Sequence, residues 1–148
     1  MSEKKYHVGY TCGVFDLFHV GHLNLLERCK EMCDVLIVGV CDDEYVRVVK
    51  HKDPVIPEED RARILRALKC VDDAQIVDIE TTNDKMIALE RFKFDVLFSG
   101  DDWKGSERYL KTEAQFAELG ACIEYLPYTH GISTSGIRQQ LSDDEAKA

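Results

Sequence analysis

The sequence predicts an α/β domain of three layers, in which a five-stranded, mostly parallel sheet lies between helices. Apolar, β-rich runs alternate along the chain with segments of helical periodicity. One run, VLIVGVC at 35–41, is apolar without alternation, which is typical of a parallel strand covered on both faces. No repeat, low-complexity tract or linker interrupts the 148 residues, so we expect one domain over residues 1–148.

The predicted elements alternate in chain order. Apolar runs predict strands at 7–12, 35–41, 74–79, 95–100 and 122–127. Helical patterns predict helices at 21–33, 58–71, 83–92, 107–120 and 133–141. The first helix groups Leu23, Leu26 and Cys33 near one face. The second follows Pro57 with acids in its first turn, and Gly120 is the predicted C-cap of the fourth.

The composition argues against nucleic-acid and membrane partners. A net charge of −9 would repel nucleic acid and anionic membranes at long range, although a local basic site can still bind a small anion. We expect no signal peptide and no membrane span, because no apolar run has the required length or place. The cysteines are scattered without a C-x-x-C pair, so we expect reduced thiols in a cytoplasmic protein; they are Cys12, Cys29, Cys33, Cys41, Cys70 and Cys122.

The stretch GVFDLFHVGH, at 13–22, joins the first predicted strand to the first predicted helix. Ligands of such sheets bind beyond the carboxyl ends of the strands, and a helix N-terminus favours an anion. His19 and His22 stand three residues apart, so both rings face one side of the first turn. Gly21 leaves room for a phosphate against the backbone. We therefore interpret this turn as a phosphate site.

Alternatives to the phosphate site stay open. The two histidines could be ordinary residues, one packed and one exposed. They could also form a metal site together with Cys12 and Asp16, although no other residues complete a typical ligand set. Asp16 fits equally well as a cap at the helix entry or as a group that orients a substrate.

Arg61 lies on the apolar stripe of the second predicted helix, at about 100° per residue. The other members of the stripe are Ile64, Leu65, Leu68 and Val71. An unpaired buried charge is costly, so we favour a bound anion as the partner of Arg61 over a side chain that snorkels past the helix end. Lys50 and Lys52, on the proline-containing loop before this helix, would complete a positive basin for two phosphates, or are solvated surface.

The loop SGDDWKG follows the fourth predicted strand. Asp101 and Asp102 could hold a hydroxyl or ammonium group with Trp103 as a wall, or the segment is a capping turn.

The loop YTHGISTSGIR follows the fifth predicted strand. Its hydroxyls at Ser133, Thr134 and Ser135 precede a helix, which suits an N-cap, a second phosphate site, or both.

These segments carry a family resemblance. G-x-F-D-x-x-H-x-G-H resembles the signature of the H-x-G-H nucleotidyltransferase superfamily and is most similar to its cytidylyltransferases. K-x-K followed nine residues later by arginine, GDDWKG and GIST are similar to segments of the glycerol-3-phosphate cytidylyltransferases, in the same order. The resemblance covers nearly the whole chain and implies a Rossmann-like nucleotidyltransferase fold. The chain departs from the family's arginine, arginine and glutamate at Lys69, Tyr128 and His130.

The resemblance implies transfer of CMP from CTP to a small phosphorylated alcohol, first of all glycerol 3-phosphate, giving CDP-glycerol and pyrophosphate. The acceptor phosphate attacks the α-phosphorus in line, and the protein positions and neutralises both reactants. Mg²⁺ is expected to bridge the triphosphate, and the family resemblance implies a homodimer.

The expected roles are distributed over these segments. The residues assigned to catalysis on the phosphates are His19, His22, Lys50, Lys52 and Arg61. The residues assigned to the nucleotide are Thr11, Cys12, Gly13, Val14, Phe15, Gly21, Asp101, Ile132, Ser133 and Thr134. The residues assigned to the acceptor are Asp16, Lys52, Arg61, Asp102 and Trp103.

Other functions stay open at this point. Phosphocholine, phosphoethanolamine or another polyol phosphate could be the acceptor, and an adenylyltransferase of the same superfamily is the nearest rival. Tyr128 in place of an arginine leaves open a non-catalytic nucleotide-binding module. A structural zinc protein is the most distant alternative.

Overall fold

A computed structural model describes residues 4–127 and contains one five-stranded sheet in that range. The strands are β1 (Tyr6–Gly13), β2 (Cys33–Cys41), β3 (Asp73–Val77), β4 (Val96–Gly100) and β5 (Cys122–Leu126). The helices are α1 (Val20–Met32), α2 (Asp43–Val49), α3 (Glu58–Arg66), α4 (Ile79–Asn83), α5 (Lys85–Phe92) and α6 (Glu107–Glu118), and a 3-10 helix covers Asp101–Trp103. None of the helices in this range has the length and apolar character that a membrane crossing requires.

The sheet has the order β3-β2-β1-β4-β5, and every neighbouring pair is parallel. The chain runs outward from β1 through β2 to β3 and then returns to place β4 on the other side of β1. The strand order therefore reverses between β1 and β4, and connections on the two sides leave a crevice at the carboxyl ends there. The predicted parallel α/β sheet is confirmed.

Helices cover both faces of the sheet. Helices α1 and α3 cover one face, whose buried core includes Leu26, Leu36, Val38, Leu65 and Phe98. Helices α5 and α6 cover the other, whose buried core includes Tyr10, Ala88, Leu97 and Phe116. Neighbouring residues of β2 pack into opposite cores, Val38 into the first and Ile37 against the second, which explains why this strand is apolar without alternation.

Two short helices, α2 and α4, are absent from the sequence-based prediction. Each begins at an aspartate that directly follows a strand. The Asp42 carboxylate accepts from Tyr45 N at 2.7 Å, and the Asp78 carboxylate accepts from Thr81 N at 2.9 Å. The second cap also ends β3 at Val77, two residues before the predicted end.

The helix predicted at 58–71 is shorter in the structure. It ends at Arg66, after which the backbone continues in three-residue turns: Leu68 N donates to Leu65 O at 3.1 Å, and Val71 N donates to Leu68 O at 3.2 Å. The helix predicted at 133–141 lies outside the described residues.

Candidate active site

A cleft of about 410 Å³ lies at the carboxyl ends of β1, β2 and β4, where the strand order reverses. Loops after these strands and the junction between α4 and α5 form its walls. Predicted site residues that line it are Thr11, Cys12, Gly13, Val14, Phe15, His22, Lys50 and Trp103. Lining residues that sequence reasoning missed include Tyr45, Thr82, Asn83, Lys85, Ser99, Arg108 and Tyr109.

The charge of the cleft is opposite to that of the chain. The formal net charge of the protein is −9. Yet the described residues that line the cleft include three fixed cations, Lys50, Lys85 and Arg108, and no carboxylate. Low-dielectric walls strengthen a field of one sign inside a cleft, so this arrangement attracts an anion despite the acidic surface around it.

His19 and His22 form a reciprocal cap at the start of α1. His19 Nδ1 accepts from Gly21 N at 3.0 Å, and His22 Nδ1 accepts from His19 N at 3.2 Å. This is a capping box in which both side chains are imidazoles. The rings stack with centroids 3.9 Å apart, so the prediction that they face the same side of the turn is confirmed.

Gly21 is predicted to leave room for a phosphate, but the structure gives it a different role. Its N–H is engaged by His19 Nδ1, and the residue does not line the cleft. His22 lines the cleft and His19 stacks behind it. The backbone of Gly21 therefore holds the His19 ring in place rather than offering an open surface to a phosphate.

The hydrogen bonds fix the tautomer of both rings. Because each Nδ1 accepts a backbone N–H, each neutral ring carries its proton on Nε2. Burial lowers the pKa of His19, and burial together with the adjacent His19 lowers the pKa of His22 to about 4, against a smaller opposing effect of Asp16. Both rings are therefore neutral donors at pH 7. His19 Nε2 is buried and has no hydrogen-bond partner among residues 4–127.

Aromatic side chains enclose the His22 ring. Phe15 meets it edge-on at 5.4 Å between centroids, and Phe18 stacks on it at 5.3 Å. Phe15 has a positive φ of 55° and Leu17 one of 51°, conformations that are uncommon for residues other than glycine. The loop before α1 thus holds a strained backbone that places an aromatic side chain against the histidine, and this contact buries part of the ring.

The lowered pKa of His22 predicts a pH dependence of stability. Between pH 6.5 and about 4 the unfolded chain binds a proton at residue 22 that the folded chain does not, so the free energy of unfolding falls as the pH falls. We compare wild type with His22→Gln, because glutamine can still accept from the N-cap backbone. Allowing for solvent screening of a half-buried ring, we expect wild type to lose about 1 kcal/mol more than the variant over this window. Equal losses in urea titrations at pH 6.5 and 4.5 would contradict the neutral assignment.

Asp16 holds two loops together. Its side chain is 2% exposed and accepts from Val55 N at 2.8 Å, Ile56 N at 2.9 Å and Leu17 N at 3.1 Å. It does not line the cleft. His19 and not Asp16 caps α1, so the structure gives Asp16 a positioning role between the loop after β1 and the segment before α3. A contact of Asp16 with a substrate stays a prediction.

Arg61 is likewise occupied by the protein. Its guanidinium donates to the carbonyls of Ile56, Val14 and Cys41 at 2.8, 2.7 and 2.7 Å, and it pairs with Asp43 Oδ1 at 2.5 Å. Its side chain is 0% exposed. The arginine therefore does not snorkel, and its anion partner is a carboxylate of the protein in place of the predicted phosphate.

The two lysines of the predicted basic loop lie in different places in the structure. Lys50, at the end of α2, lines the cleft, whereas Lys52 is exposed on the following loop and does not. Lys69, at the position of the family's second arginine, lines a separate surface depression with Lys30 and Glu27. Of these lysines, only Lys50 is placed to meet a ligand in the cleft as the described residues stand.

The loop after β4 contributes an aromatic wall. Trp103 stacks on Tyr109 with ring centroids 5.4 Å apart, and both line the cleft. Asp101 and Asp102 occupy the same 3-10 helix but are exposed and do not line the cleft. The predicted wall is present, and the predicted carboxylate contacts are absent from this arrangement.

The last predicted segment cannot be placed, because Ile132, Ser133, Thr134, Tyr128 and His130 lie outside the described residues. The sequence predicts that one cleft is shared by His22, Lys52, Arg61 and Thr134. Only His22 of the three described members lines it.

Lys85, at the start of α5, and Arg108, in α6, are the cleft cations that the sequence-based prediction missed, and both donate to carbonyls at the end of α4. Lys85 Nζ donates to Thr82 O at 2.6 Å, and the Arg108 guanidinium donates to Asn83 O. The position of Lys85 in the sequence could have indicated its role. It lies in the segment TTNDK, which follows the third strand, and ligand sites lie at the carboxyl ends of parallel strands.

The described part of the chain offers no candidate metal site. Among residues 4–127, no group of three or more histidine, cysteine, aspartate or glutamate side chains is arranged to hold a metal ion. In the alternative built on Cys12, Asp16, His19 and His22, the Asp16 carboxylate and both Nδ1 atoms accept backbone N–H groups, so in this structure these atoms hold the loop and the start of α1.

Known proteins resemble this chain over most of its length. It is 36% identical over 137 residues to a glycerol-3-phosphate cytidylyltransferase of Staphylococcus aureus (strain NCTC 8325 / PS 47), covering 93% of this chain and 96% of that protein. It is 38% identical to an FAD synthase of Thermococcus onnurineus (strain NA1), covering 80% of this chain and 77% of that protein. The solved structure of a lipopolysaccharide core biosynthesis protein from Thermoplasma volcanium GSS1 superposes with a TM-score of 0.68 at 27% identity, covering 84% and 97% of the two chains.

The family model for cytidylyltransferase-like proteins matches residues 10–140. This range contains the second half of β1, all of β2 to β5, and every residue that lines the cleft. The similarity to this family extends over nearly the whole chain and includes the cleft, its cations and its paired histidines. This chain belongs to the cytidylyltransferase-like family of nucleotidyltransferases.

Proposed function

We propose that this chain transfers CMP from CTP to a small phosphorylated alcohol, with glycerol 3-phosphate as the first-choice acceptor. The products are a CDP-alcohol and pyrophosphate. The observation that carries the proposal is the charge of the cleft: among residues 4–127 its lining includes Lys50, Lys85 and Arg108 and no carboxylate, in a chain of net charge −9. Two phosphorylated reactants need such a site, because their charges repel each other until cations neutralise them.

The proposed reaction needs no nucleophile from the protein. An oxygen of the acceptor phosphate attacks the α-phosphorus of CTP in line, and the bond to the β-phosphate oxygen breaks to release pyrophosphate. His22 donates its Nε2–H to a phosphate oxygen on which charge develops, and the neighbouring cations neutralise the pyrophosphate that leaves. A neutral donor suits this role, because it binds the oxygen without giving up its proton.

Mg²⁺ is proposed to enter with the triphosphate. The lining of the cleft, as far as the structure describes it, offers hydroxyls and carbonyls but no carboxylate, and Mg²⁺ in proteins is usually held by carboxylates, phosphates and water. The described residues therefore fit a metal that the nucleotide phosphates hold. When bound, Mg²⁺ would supply charge neutralisation on those phosphates.

A screen of pyrophosphate release tests the proposal. Each of the four nucleoside triphosphates is paired with glycerol 3-phosphate, phosphocholine, phosphoethanolamine, a panel of polyol phosphates and flavin mononucleotide. We expect release with CTP and glycerol 3-phosphate, and none with CTP alone. Nucleotide binding without release under any pairing would support the non-catalytic module instead.

One similarity favours a second candidate. The match to an FAD synthase at 38% identity points to adenylyl transfer onto a flavin phosphate. The same screen decides between the two, since release would then require ATP and flavin mononucleotide.

Lys85→Ala tests the cation that the structure adds to the site. Loss of one charge-assisted contact to phosphate is worth about 1.5–3 kcal/mol, so we expect KM for the triphosphate to rise about tenfold or more. Lys111→Ala is the matched control, because Lys111 is an exposed lysine of α6 outside the cleft. Steady-state pyrophosphate release gives both values. An equal rise in the two variants would mean that general charge, and not the site, governs binding.

A further inference from the structure

Two thiols lie side by side in the floor of the cleft. Cys12 stands near the carboxyl end of β1 and Cys41 at the carboxyl end of β2, on neighbouring parallel strands. Their Sγ atoms are 3.7 Å apart, and both residues line the cleft. The two sulfurs need to approach by about 1.7 Å to reach the length of a disulfide bond.

The surroundings make the two thiols unequal. Cys12 is partly exposed, whereas Cys41 is 2% exposed. The hydrogen bond between the two sulfurs lowers the pKa of Cys12 despite its burial, with a further contribution from the charge of Lys85. The same hydrogen bond and burial raise the pKa of Cys41. These opposite pKa shifts favour the thiolate on Cys12, the more exposed of the two.

We propose that Cys12 and Cys41 form a dithiol site that a hydroperoxide oxidises to a disulfide, which disables the nucleotide cleft. Cys12 is the attacking sulfur because it is the more accessible, and Cys41 is the resolving sulfur because it lies within 4 Å and is shielded from solvent. A thiol reductant of the cell would restore the open cleft by thiol–disulfide exchange.

The chemistry balances in two steps. The Cys12 thiolate attacks one oxygen of the hydroperoxide, the O–O bond breaks, and the products are a Cys12 sulfenic acid and hydroxide or alkoxide. The Cys41 sulfur then attacks the Cys12 sulfur, the S–OH bond breaks, and the hydroxyl leaves as water with the Cys41 proton. The two thiols lose two electrons in total, and the peroxide gains them.

The remaining cysteines lack this arrangement. Cys29 and Cys33 are 0% exposed in the core, and burial raises the pKa of both. Burial also raises the pKa of Cys70, which lies in a surface depression away from the cleft. Cys122 is the first residue of β5, at the opposite end of the strands from the cleft, and does not line it. Oxidation is therefore expected to select the pair in the cleft.

The loss of activity rests on the proposed function and follows from where the two cysteines lie. Cys12 precedes the loop that leads to the histidine turn, and the carbonyl of Cys41 accepts from Arg61, which also holds Val14 at 2.7 Å. Drawing the sulfurs together shifts both strand ends beneath the ligand. Displacements of this size in a reacting site are expected to lower turnover about tenfold or more.

The experiment treats wild type, Cys12→Ser, Cys41→Ser and the control Cys70→Ser with hydrogen peroxide. Intact mass and peptide mapping report the bond, and pyrophosphate release reports the consequence as a fraction of each variant's own untreated activity. We expect wild type and Cys70→Ser to lose about 2 Da per chain, to yield a linked Cys12–Cys41 peptide, and to lose activity that dithiothreitol restores. The two cleft variants should form no such link.

Three outcomes would overturn the proposal: no linked peptide in wild type, a link between other cysteines, or a Cys12–Cys41 link with unchanged activity. If the chain releases no pyrophosphate with any reactants, the proposed function fails by itself. Peptide mapping then still decides whether the disulfide forms, and binding of CTP or ATP before and after oxidation replaces activity as the readout. Thermal unfolding of each variant before oxidation identifies one that does not fold, and Cys→Ala then replaces Cys→Ser at that position.

Discussion

His22→Ala is expected to lower kcat/KM for pyrophosphate release about 100- to 1,000-fold, the effect of removing one well-placed donor to developing oxygen charge. His22 is the histidine whose ring lines the cleft, and its Nδ1 is already engaged by the backbone of His19. Its Nε2–H is therefore the proposed donor to a ligand. Removal of the ring eliminates that donor, together with the aromatic packing of Phe15 and Phe18 around it.

The structural part of this loss must be separated from the chemical part. His22→Gln keeps an oxygen that can accept from the N-cap backbone and an amide N–H that can donate, so we expect it to recover part of the activity that alanine loses. Urea unfolding of both variants measures the contribution of the cap, which is expected to be about 1 kcal/mol. If His22→Ala released pyrophosphate at the rate of wild type, His22 would have no part in the reaction.

The sequence predicts most of the framework for a physical reason. The apolar strand at 35–41 is covered on both faces, and that burial is visible in its composition. The spacing of His19 and His22 is local as well, because three residues along a helix place two side chains together whatever the rest of the chain does. Patterns of this kind depend on neighbours in sequence, and they are confirmed.

Contacts between distant segments are what the sequence could not indicate. A buried arginine is predictable at Arg61, but the choice between a ligand phosphate and Asp43 depends on how α2 and α3 pack. The positions of Lys85 and Arg108 depend on contacts of their side chains with the backbone of Thr82 and Asn83. The sequence-based prediction lacks α2 for a related reason. Its valines favour a strand by propensity, whereas the cap at Asp42 stabilises a helix.

The replacement of Arg61 has the largest expected effect on stability. Its guanidinium ties the carbonyls of Val14, Cys41 and Ile56 and the carboxylate of Asp43 at one point below the cleft. Arg61→Met keeps much of the apolar stem but leaves those acceptors unpaired, and removal of one partner of a buried ion pair costs about 3–5 kcal/mol. Arg61→Lys should recover little, since an ammonium cannot reproduce the geometry of the planar fork.

Urea unfolding measures this loss, and a double-mutant cycle with Asp43→Asn isolates the ion pair from the three carbonyl contacts. Arg63→Met is the matched control, because Arg63 is an exposed arginine on the same helix. We expect Arg61→Met to lower the free energy of unfolding and the control to change it by less than about 0.5 kcal/mol. A variant as stable as wild type, with a raised KM for the acceptor alone, would return Arg61 to the phosphate role that its place on the helix suggests. The two roles predict different changes: loss of a structural arginine lowers the free energy of unfolding, whereas loss of a phosphate ligand raises KM for the acceptor.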